Sequence, residues 1–171
     1  TADVNHIHRN RYLSRSVDGA GRMTISVELT TEAGELVMAA IERALAEYGM
    51  HLGTAFQLID DVLDYSGDLA ETGKNLGDDL AEGKPTLPLI YALAHAPAAE
   101  AAKLREAIET GGIDDLDQIT RLIETSGGLE YTARMARQEK ELAVEALGGL
   151  PASKYRDALV TLADFAVART Y

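Results

Sequence analysis

The sequence contains no cysteine and no tryptophan, and it has only two phenylalanines among its 171 residues. Without cysteine the chain can form neither a disulfide nor a thiolate metal site, which is typical of proteins in a reducing compartment. We therefore expect a cytoplasmic location. Because large aromatic side chains are scarce, Ala, Leu, Ile and Val must fill the core, and this composition favours close helix packing over a sheet.

Basic residues are also few: the chain has 16 Lys and Arg but 28 Asp and Glu. Its formal net charge is therefore -12. An acidic surface repels the phosphates of nucleic acids and of anionic lipid headgroups, so we expect no nucleic-acid partner. No run approaches the roughly 18 apolar residues that a spanning helix requires, and the N-terminal segment lacks the apolar part of a secretory signal. We therefore expect no transmembrane segment.

The apolar pattern divides the chain at about residue 30. Residues 1–30 show no helical period, and the apolar alternation between Met23 and Leu29 predicts one short strand-like stretch in an otherwise irregular arm. Residues 31–171 show helical spacing, broken by Gly and Pro, and predict one all-α domain built as a helical bundle. Two of the predicted helices begin at Thr31 and at Pro88. The other five span His51–Tyr65, Ala98–Glu109, Asp115–Thr125, Leu129–Leu147 and Ala152–Thr170.

An aspartate stripe, consisting of Asp60, Asp61 and Asp64, is the most informative feature of the sequence. At about 100° per residue these side chains share one sector of the helix with Gln57. Most of the remaining circumference is apolar, so we expect this helix to lie largely buried. The apolar residues are Phe56, Leu58, Ile59, Val62 and Leu63.

Carboxylates crowded on a buried helix repel one another and lose hydration unless cations compensate them. No Lys or Arg occurs between Arg43 and Lys74. Mg²⁺ is suited to the site, since it is held by one or two carboxylates together with water and phosphate oxygens. The stripe therefore predicts magnesium bound against a diphosphate, and its alternative is an ordinary acidic face on a surface helix. An EF-hand is excluded, because a loop starting at Asp60 would place Tyr65 where the turn glycine belongs.

The segment from Leu69 to Thr86 is polar and rich in glycine, which predicts a loop with one turn of helix. Lys74 and Lys84 each follow a glycine there, but neither precedes Ser or Thr, so a Walker A loop is excluded. Each lysine could bind phosphate as a point charge or be solvated. Asp78 and Asp79 have similar alternatives, a supporting role in the site or a solvated loop paired with a nearby lysine.

Three segments together resemble a known family. FQLIDDVLD begins at Phe56, GKNLGDDLAEGKPTLP begins at Gly73, and SGGLEYTARMARQEKELAVEALGGLP begins at Ser126. They resemble the C-terminal half of trans-prenyl diphosphate synthases, above all the bacterial octaprenyl and related long-chain polyprenyl diphosphate synthases. The resemblance implies half of the all-α isoprenoid synthase fold. It also implies an Mg²⁺-dependent condensation of an allylic diphosphate with isopentenyl diphosphate in isoprenoid biosynthesis.

The resemblance also implies roles for individual residues. The aspartate stripe matches the second aspartate-rich motif of the family and would ligate Mg²⁺. Lys74 matches the lysine that contacts the allylic diphosphate, and Phe56 and Gln57 match the pair beside the reacting carbons. Asp78 and Lys84 belong to the same pattern in supporting roles.

The chain departs from the family at its N-terminal end. Residues 1–30 contain neither the first aspartate-rich motif nor the upstream Gly-Lys-Arg segment and Lys-Thr pair of these enzymes. Three interpretations follow: a fragment of a full synthase, a chain completed by a partner, or a shortened homologue. The alternative function is that of a non-catalytic helical subunit. Because half a bundle exposes apolar surface, we expect a homo-oligomer or a complex with a partner synthase subunit.

Overall fold

The chain forms a β-hairpin and seven α-helices within residues 13–66, 77–111 and 116–168, the parts that the computed structural model describes. The strands are β1 (Leu13–Val17) and β2 (Met23–Val27), and the helices are α1 (Thr31–Ser66), α2 (Asp78–Ala81), α3 (Leu87–His95), α4 (Ala98–Thr110), α5 (Leu116–Ser126), α6 (Gly128–Ala146) and α7 (Lys154–Val167). A single 3-10 turn, Leu147–Gly149, follows α6. None of the described helices combines the length and apolar character needed to cross a membrane.

Two compact units make up the chain. The N-terminal unit, Thr1–Leu45, contains the hairpin and the first part of α1, whereas the helical unit, Ala46–Tyr171, contains the rest of α1 and all later helices. The division therefore falls inside α1, later than the change of apolar pattern at residue 30.

The hairpin corrects our expectation of an irregular arm. β2 lies in the predicted strand-like stretch, and β1 pairs with it in antiparallel register from Leu13 opposite Val27 to Val17 opposite Met23. The turn is held by Asp18, whose Oδ1 accepts hydrogen bonds from the backbone N–H of Ala20 at 3.0 Å and of Arg22 at 2.8 Å. The sequence did not indicate β1, because LSRSV has apolar residues only at its two ends.

Helix α1 is continuous over 36 residues, so the prediction of two separate helices, one beginning at Thr31 and one at His51–Tyr65 after Gly49, is wrong. A helical glycine costs only about 1 kcal/mol relative to alanine, and tertiary contacts hold the helix on both sides of this position. The Tyr48 hydroxyl donates to the Leu159 carbonyl at 2.8 Å, and the His51 ring contacts the Glu139 carboxylate at 2.7 Å. These contacts to α7 and α6 outweigh the local preference of one glycine.

The later helices lie close to their predicted positions. Pro88 occupies the first turn of α3, where its missing N–H would have had no helical partner. Helix α7 begins later than predicted because Ser153 caps it, with its side chain accepting a hydrogen bond from the Arg156 N–H at 3.2 Å.

Two buried apolar clusters form the core of the helical unit. The first contains Tyr65, Leu80, Leu89, Ala92, Leu104, Ala107, Ile119 and Ile123, and the second contains Tyr48, Ala143, Leu147 and Ala163. Tyr65 directly follows Asp64, and Leu80 directly follows Asp79. The first cluster therefore fixes two acidic segments that are separated in the sequence.

Candidate metal centre

The aspartate stripe lies in the last turns of α1, as the helical spacing predicts. Asp61 is buried, with 8% of its surface exposed, whereas Asp60 and Asp64 are partly buried. The expectation of a largely buried helix holds for residues 58–65, all of which are buried or partly buried, but not for Phe56, which keeps 45% exposure, or for Gln57, which is exposed. The buried positions on α1 are Tyr48, Ala55, Ile59, Asp61 and Tyr65. Tyr48 and Tyr65 belong to the two buried apolar clusters of the helical unit.

Asp79 joins the stripe from a separate helix. Its backbone N–H donates to the Asp64 Oδ2 at 3.3 Å, and the Gly77 N–H donates to the Asp64 backbone carbonyl at 3.0 Å. Gly77 has φ 78°, a backbone conformation that strongly favours glycine, and a Cβ there would also displace the end of the Leu116 side chain. The start of α2 is thereby fixed against the end of α1.

Burial and mutual repulsion raise the pKa values of the central carboxyl groups. Desolvation raises the pKa of Asp61, the charge of Asp79 raises it further, and the hydrogen bond from Gln57 acts in the opposite direction. The pKa of Asp64 is raised to about 6, first by desolvation and then by the charge of Asp79. The charged forms of Asp61 and Asp64 are therefore disfavoured next to Asp79, and a cation near them would lower the pKa values of Asp61 and Asp64 again.

Two polar contacts fix the orientation of groups in this cluster. The Gln57 Nε2 donates to the Asp61 Oδ1 at 3.1 Å, one helical turn apart on α1. The Thr86 hydroxyl donates to the Tyr65 hydroxyl at 3.4 Å, and burial raises the pKa of Tyr65, which keeps it neutral. The first contact orients the Asp61 carboxylate, which also accepts a hydrogen bond from the backbone of Leu87.

Lys84 is the lysine of the predicted loop that the structure describes. Its ammonium group contacts the Asp79 carboxylate at 3.1 Å and the Glu82 carboxylate at 2.6 Å, and these hydrogen bonds raise its pKa to about 12. The pairing of Asp79 with a nearby lysine, one of the two alternatives, is therefore present. Lys74, the lysine expected to contact a diphosphate, lies outside the described residues.

The carboxylates suit a metal that takes only part of its ligands from the protein. Within the described ranges, no three acidic or histidine side chains converge closely enough to form a complete metal cage. Mg²⁺ does not need one, because it keeps several waters and is usually bound by one or two carboxylates plus phosphate oxygens. Asp61 and Asp64, with raised pKa values and Asp79 beside them, fit such an open site for Mg²⁺ and a phosphorylated ligand.

The contributions of Asp79 and Tyr65 were not recognised from the sequence. The sequence allows either a supporting role or a solvated loop for Asp79, because the position of Asp79 depends on the turn at Gly77 and on Leu116, which is distant in the sequence. A local signal did exist, since a glycine followed by two aspartates is typical of the start of a helix. Tyr65 had the spacing of a buried residue, but nothing indicated its contact with Thr86.

The sequence is similar to known proteins over most of its length. A profile of the polyprenyl synthetase family matches residues 8–125, so the match extends into the segment before Thr31, for which we expected no resemblance. The octaprenyl diphosphate synthase of Haemophilus influenzae is 50% identical over 133 residues, which is 77% of this chain and 40% of that enzyme. The chain thus spans about 40% of the length of this relative, in its C-terminal portion.

Solved structures give the same result for the fold. A polyprenyl synthase from Caulobacter crescentus, complexed with calcium and isoprenyl diphosphate, superimposes with a TM-score of 0.71 and 44% identity over 77% of this chain and 40% of that one. A geranylgeranyl pyrophosphate synthase from Corynebacterium glutamicum, complexed with isoprenyl diphosphate and magnesium, superimposes with a TM-score of 0.66 and 34% identity. This match covers 74% of this chain and 37% of that one. The predicted all-α isoprenoid synthase fold is therefore confirmed.

Proposed function

Because this chain belongs to the polyprenyl synthetase family, we propose that it acts in the condensation of an allylic diphosphate with isopentenyl diphosphate. In this proposal the aspartate stripe holds Mg²⁺ against the diphosphate of the allylic substrate. The observation that carries it is the cluster of Asp61, Asp64 and Asp79, in which burial and repulsion disfavour the charged carboxylates. A solvated surface helix would have no such cost.

The proposal assigns a separate role to each residue of the site. Asp60, Asp61 and Asp64 provide carboxylate oxygens, and the Gln57 amide orients the Asp61 carboxylate. When bound, magnesium neutralises charge on the departing diphosphate. Lys74 contacts that diphosphate, and Phe56 and Gln57 lie beside the carbons that react. The same proposal places the protein in the cytoplasm.

Binding of Mg²⁺ and inorganic pyrophosphate, measured by titration calorimetry, tests the site directly. Asp61→Asn and Asp64→Asn each remove one charged ligand, so we expect at least tenfold weaker binding, in line with about 1.5–3 kcal/mol for a hydrogen bond to a charged group. Asp117→Asn is the matched control, since Asp117 is exposed in the first turn of α5. Equal affinities in all three variants and the parent chain would remove the site from the proposal.

The second candidate function is that of a non-catalytic subunit completed by a partner synthase. Exposed apolar side chains favour it, since Leu36 is 72% exposed, Met50 59% and Phe56 45%, all on α1. The chain also spans only about 40% of the length of the Haemophilus influenzae enzyme. Soluble proteins rarely leave large apolar patches open, so a partner or a second copy would cover them.

An assay with an allylic diphosphate, isopentenyl diphosphate and Mg²⁺ separates the two functions. Prenyl product formed by this chain alone supports the enzyme. Product that forms only when the chain is mixed with a partner subunit supports the second function, and Asp61→Asn then shows whether the aspartate stripe contributes to the mixed activity.

A further inference from the structure

We propose that Tyr65 and Thr86 are positioning residues for Asp61, because they hold the start of α3 where its first backbone N–H meets the Asp61 carboxylate. This inference rests on the proposed function, since Asp61 is one of the metal ligands in that proposal. Two contacts between the end of α1 and the start of α3 carry it. One joins Tyr65 to Thr86, and the other joins Asp61 to Leu87.

The two contacts lie next to each other. Asp61 and Tyr65 are four residues apart on α1, so their side chains leave the same side of the helix about 5.4 Å apart. Thr86 and Leu87 are consecutive, with Cα atoms about 3.8 Å apart. The Leu87 N–H donates to Asp61, and the Thr86 hydroxyl donates to the Tyr65 hydroxyl at 3.4 Å. We call this pair of hydrogen bonds the α1–α3 clamp.

Thr86 has the position of an N-cap residue but does not cap its own helix. It directly precedes α3 and has an extended backbone, with φ -71° and ψ 161°. An N-cap hydroxyl normally accepts a hydrogen bond from the second or third N–H of the helix, and the second residue here is Pro88, which has no N–H. Within this described segment the Thr86 side chain makes no capping hydrogen bond. Its hydroxyl is turned to Tyr65, and a carboxylate from α1 lies at the start of α3.

The start of α3 provides Asp61 with a donor that water cannot easily replace. The first N–H groups of a helix lack partners within the helix and carry a partial positive charge, which favours a carboxylate beside them. Asp61 is only 8% exposed. The Gln57 amide donates to its Oδ1 at 3.1 Å. The carboxylate is therefore held by one donor from α1 and one from α3, and the second donor depends on where α3 begins.

Apolar packing anchors both helices of the clamp. Tyr65 is 2% exposed and Leu89 is 0% exposed, and both belong to the first apolar cluster. The start of α6 also lies very close to the start of α3, since a Cβ added at Gly128 would be 2.7 Å from the Pro88 carbonyl oxygen. This packing does not depend on the hydroxyl pair. Variants that lack one hydroxyl should therefore stay folded, and the alignment of the Leu87 N–H should change.

Deletion of each hydroxyl tests the clamp. Tyr65→Phe and Thr86→Val remove one partner each with little change in volume. We expect Mg²⁺ and pyrophosphate to bind about three- to fivefold more weakly in titration calorimetry, as for the loss of one typical hydrogen bond. The double variant should bind no more weakly than either single variant, because both substitutions remove the same contact. Thr86→Ser keeps the hydroxyl and should bind as the parent chain does. Additive losses, or equal losses in Thr86→Ser and Thr86→Val, would overturn the proposal.

Tyr48→Phe is the matched control for a general loss of stability. It removes a buried hydroxyl from the same helix, one that donates to the Leu159 carbonyl at 2.8 Å. We expect this variant to lower the Tm at least as much as Tyr65→Phe does, but to leave the affinity for Mg²⁺ and pyrophosphate unchanged. Equal weakening of binding by the two tyrosine variants would mean that Tyr65 acts only through stability, which contradicts a positioning role.

The Asp61→Asn background distinguishes this inference from the proposed function. If Tyr65 acts through Asp61, Tyr65→Phe should cause no further loss of affinity in that background. If Asp61→Asn itself leaves the affinity unchanged, the proposed metal site fails, and the positioning role fails with it. If Asp61→Asn weakens binding but Tyr65→Phe does not, or if Tyr65→Phe weakens it equally in both backgrounds, the clamp alone is overturned.

Discussion

The backbone N–H of Asp79 donates to the carboxylate of Asp64 at 3.3 Å, although the two residues belong to different helices. The hydrogen bond favours the charged form of Asp64, whereas burial and the charge of Asp79 disfavour it and leave its pKa at about 6. Desolvation is the larger of the two opposing causes, and together with the charge of Asp79 it outweighs the hydrogen bond. The cluster therefore takes up protons or a cation more readily than separate aspartates would.

This balance predicts a pH-dependent effect of Asp64→Asn on the metal-free protein. The pKa of Asp64 is raised on folding, from 3.8 to about 6, so its protonation favours the folded state. The stability that it contributes is present below about pH 4 and is lost as the pH rises through about 6. Asn mimics the protonated carboxyl group, so the variant should have a higher Tm than the parent at pH 7.5 and a similar Tm at pH 4.

Thermal unfolding followed by circular dichroism at the two pH values checks this prediction. Asp117→Asn on α5 is again the control for removing one acidic charge from an acidic protein. Equal shifts of Tm at pH 4 and at pH 7.5 for Asp64→Asn would contradict the explanation from burial and repulsion.

Gln57→Met tests the orientation of Asp61. Methionine has a similar length but cannot donate to the Asp61 Oδ1, so the carboxylate gains rotational freedom and loses one hydrogen bond. We expect Mg²⁺ and pyrophosphate to bind about fivefold more weakly, which corresponds to the roughly 1 kcal/mol of a typical hydrogen bond. Calorimetry measures the affinity, and an unchanged value would mean that the amide has no part in orienting the carboxylate.

Gly77→Ala should destabilise the helical unit, because Gly77 has a positive φ and its Cβ would collide with Leu116. We expect a loss of about 1–3 kcal/mol in the free energy of unfolding, as for strained backbone positions. Gly49→Ala provides the opposite case, since Gly49 is helical and a Cβ there meets nothing within 4 Å. It should stabilise the protein by up to about 1 kcal/mol. Urea unfolding of both variants measures the difference in sign.

The sequence predicts the features that depend on local periodicity. It does not predict features that depend on contacts between residues far apart in the sequence. Asp60, Asp61 and Asp64 share a sector because they lie on a regular helix, and spacing alone is sufficient to place them. The break at Gly49 was wrong because the contact of Tyr48 with Leu159 joins parts of the chain that are far apart in the sequence.

The burial of the helix that carries the aspartate stripe was predicted only in part, for a related reason. A helical wheel shows which residues are apolar, but it does not show which of them a neighbouring helix covers. Ile59 is buried while Phe56, three residues earlier, keeps 45% exposure. The approach of Asp79 could not be derived either, because it depends on Gly77 being able to adopt a positive φ next to Leu116.

The hydrogen bond from the Gly77 N–H to the Asp64 carbonyl, at 3.0 Å, ties together the two ends of the segment between α1 and α2. Backbone groups make this contact, so it does not depend on the side chains of the residues between Asp64 and Gly77. Substitutions in that segment can therefore accumulate during evolution while Asp64 and Asp79 keep their relative positions.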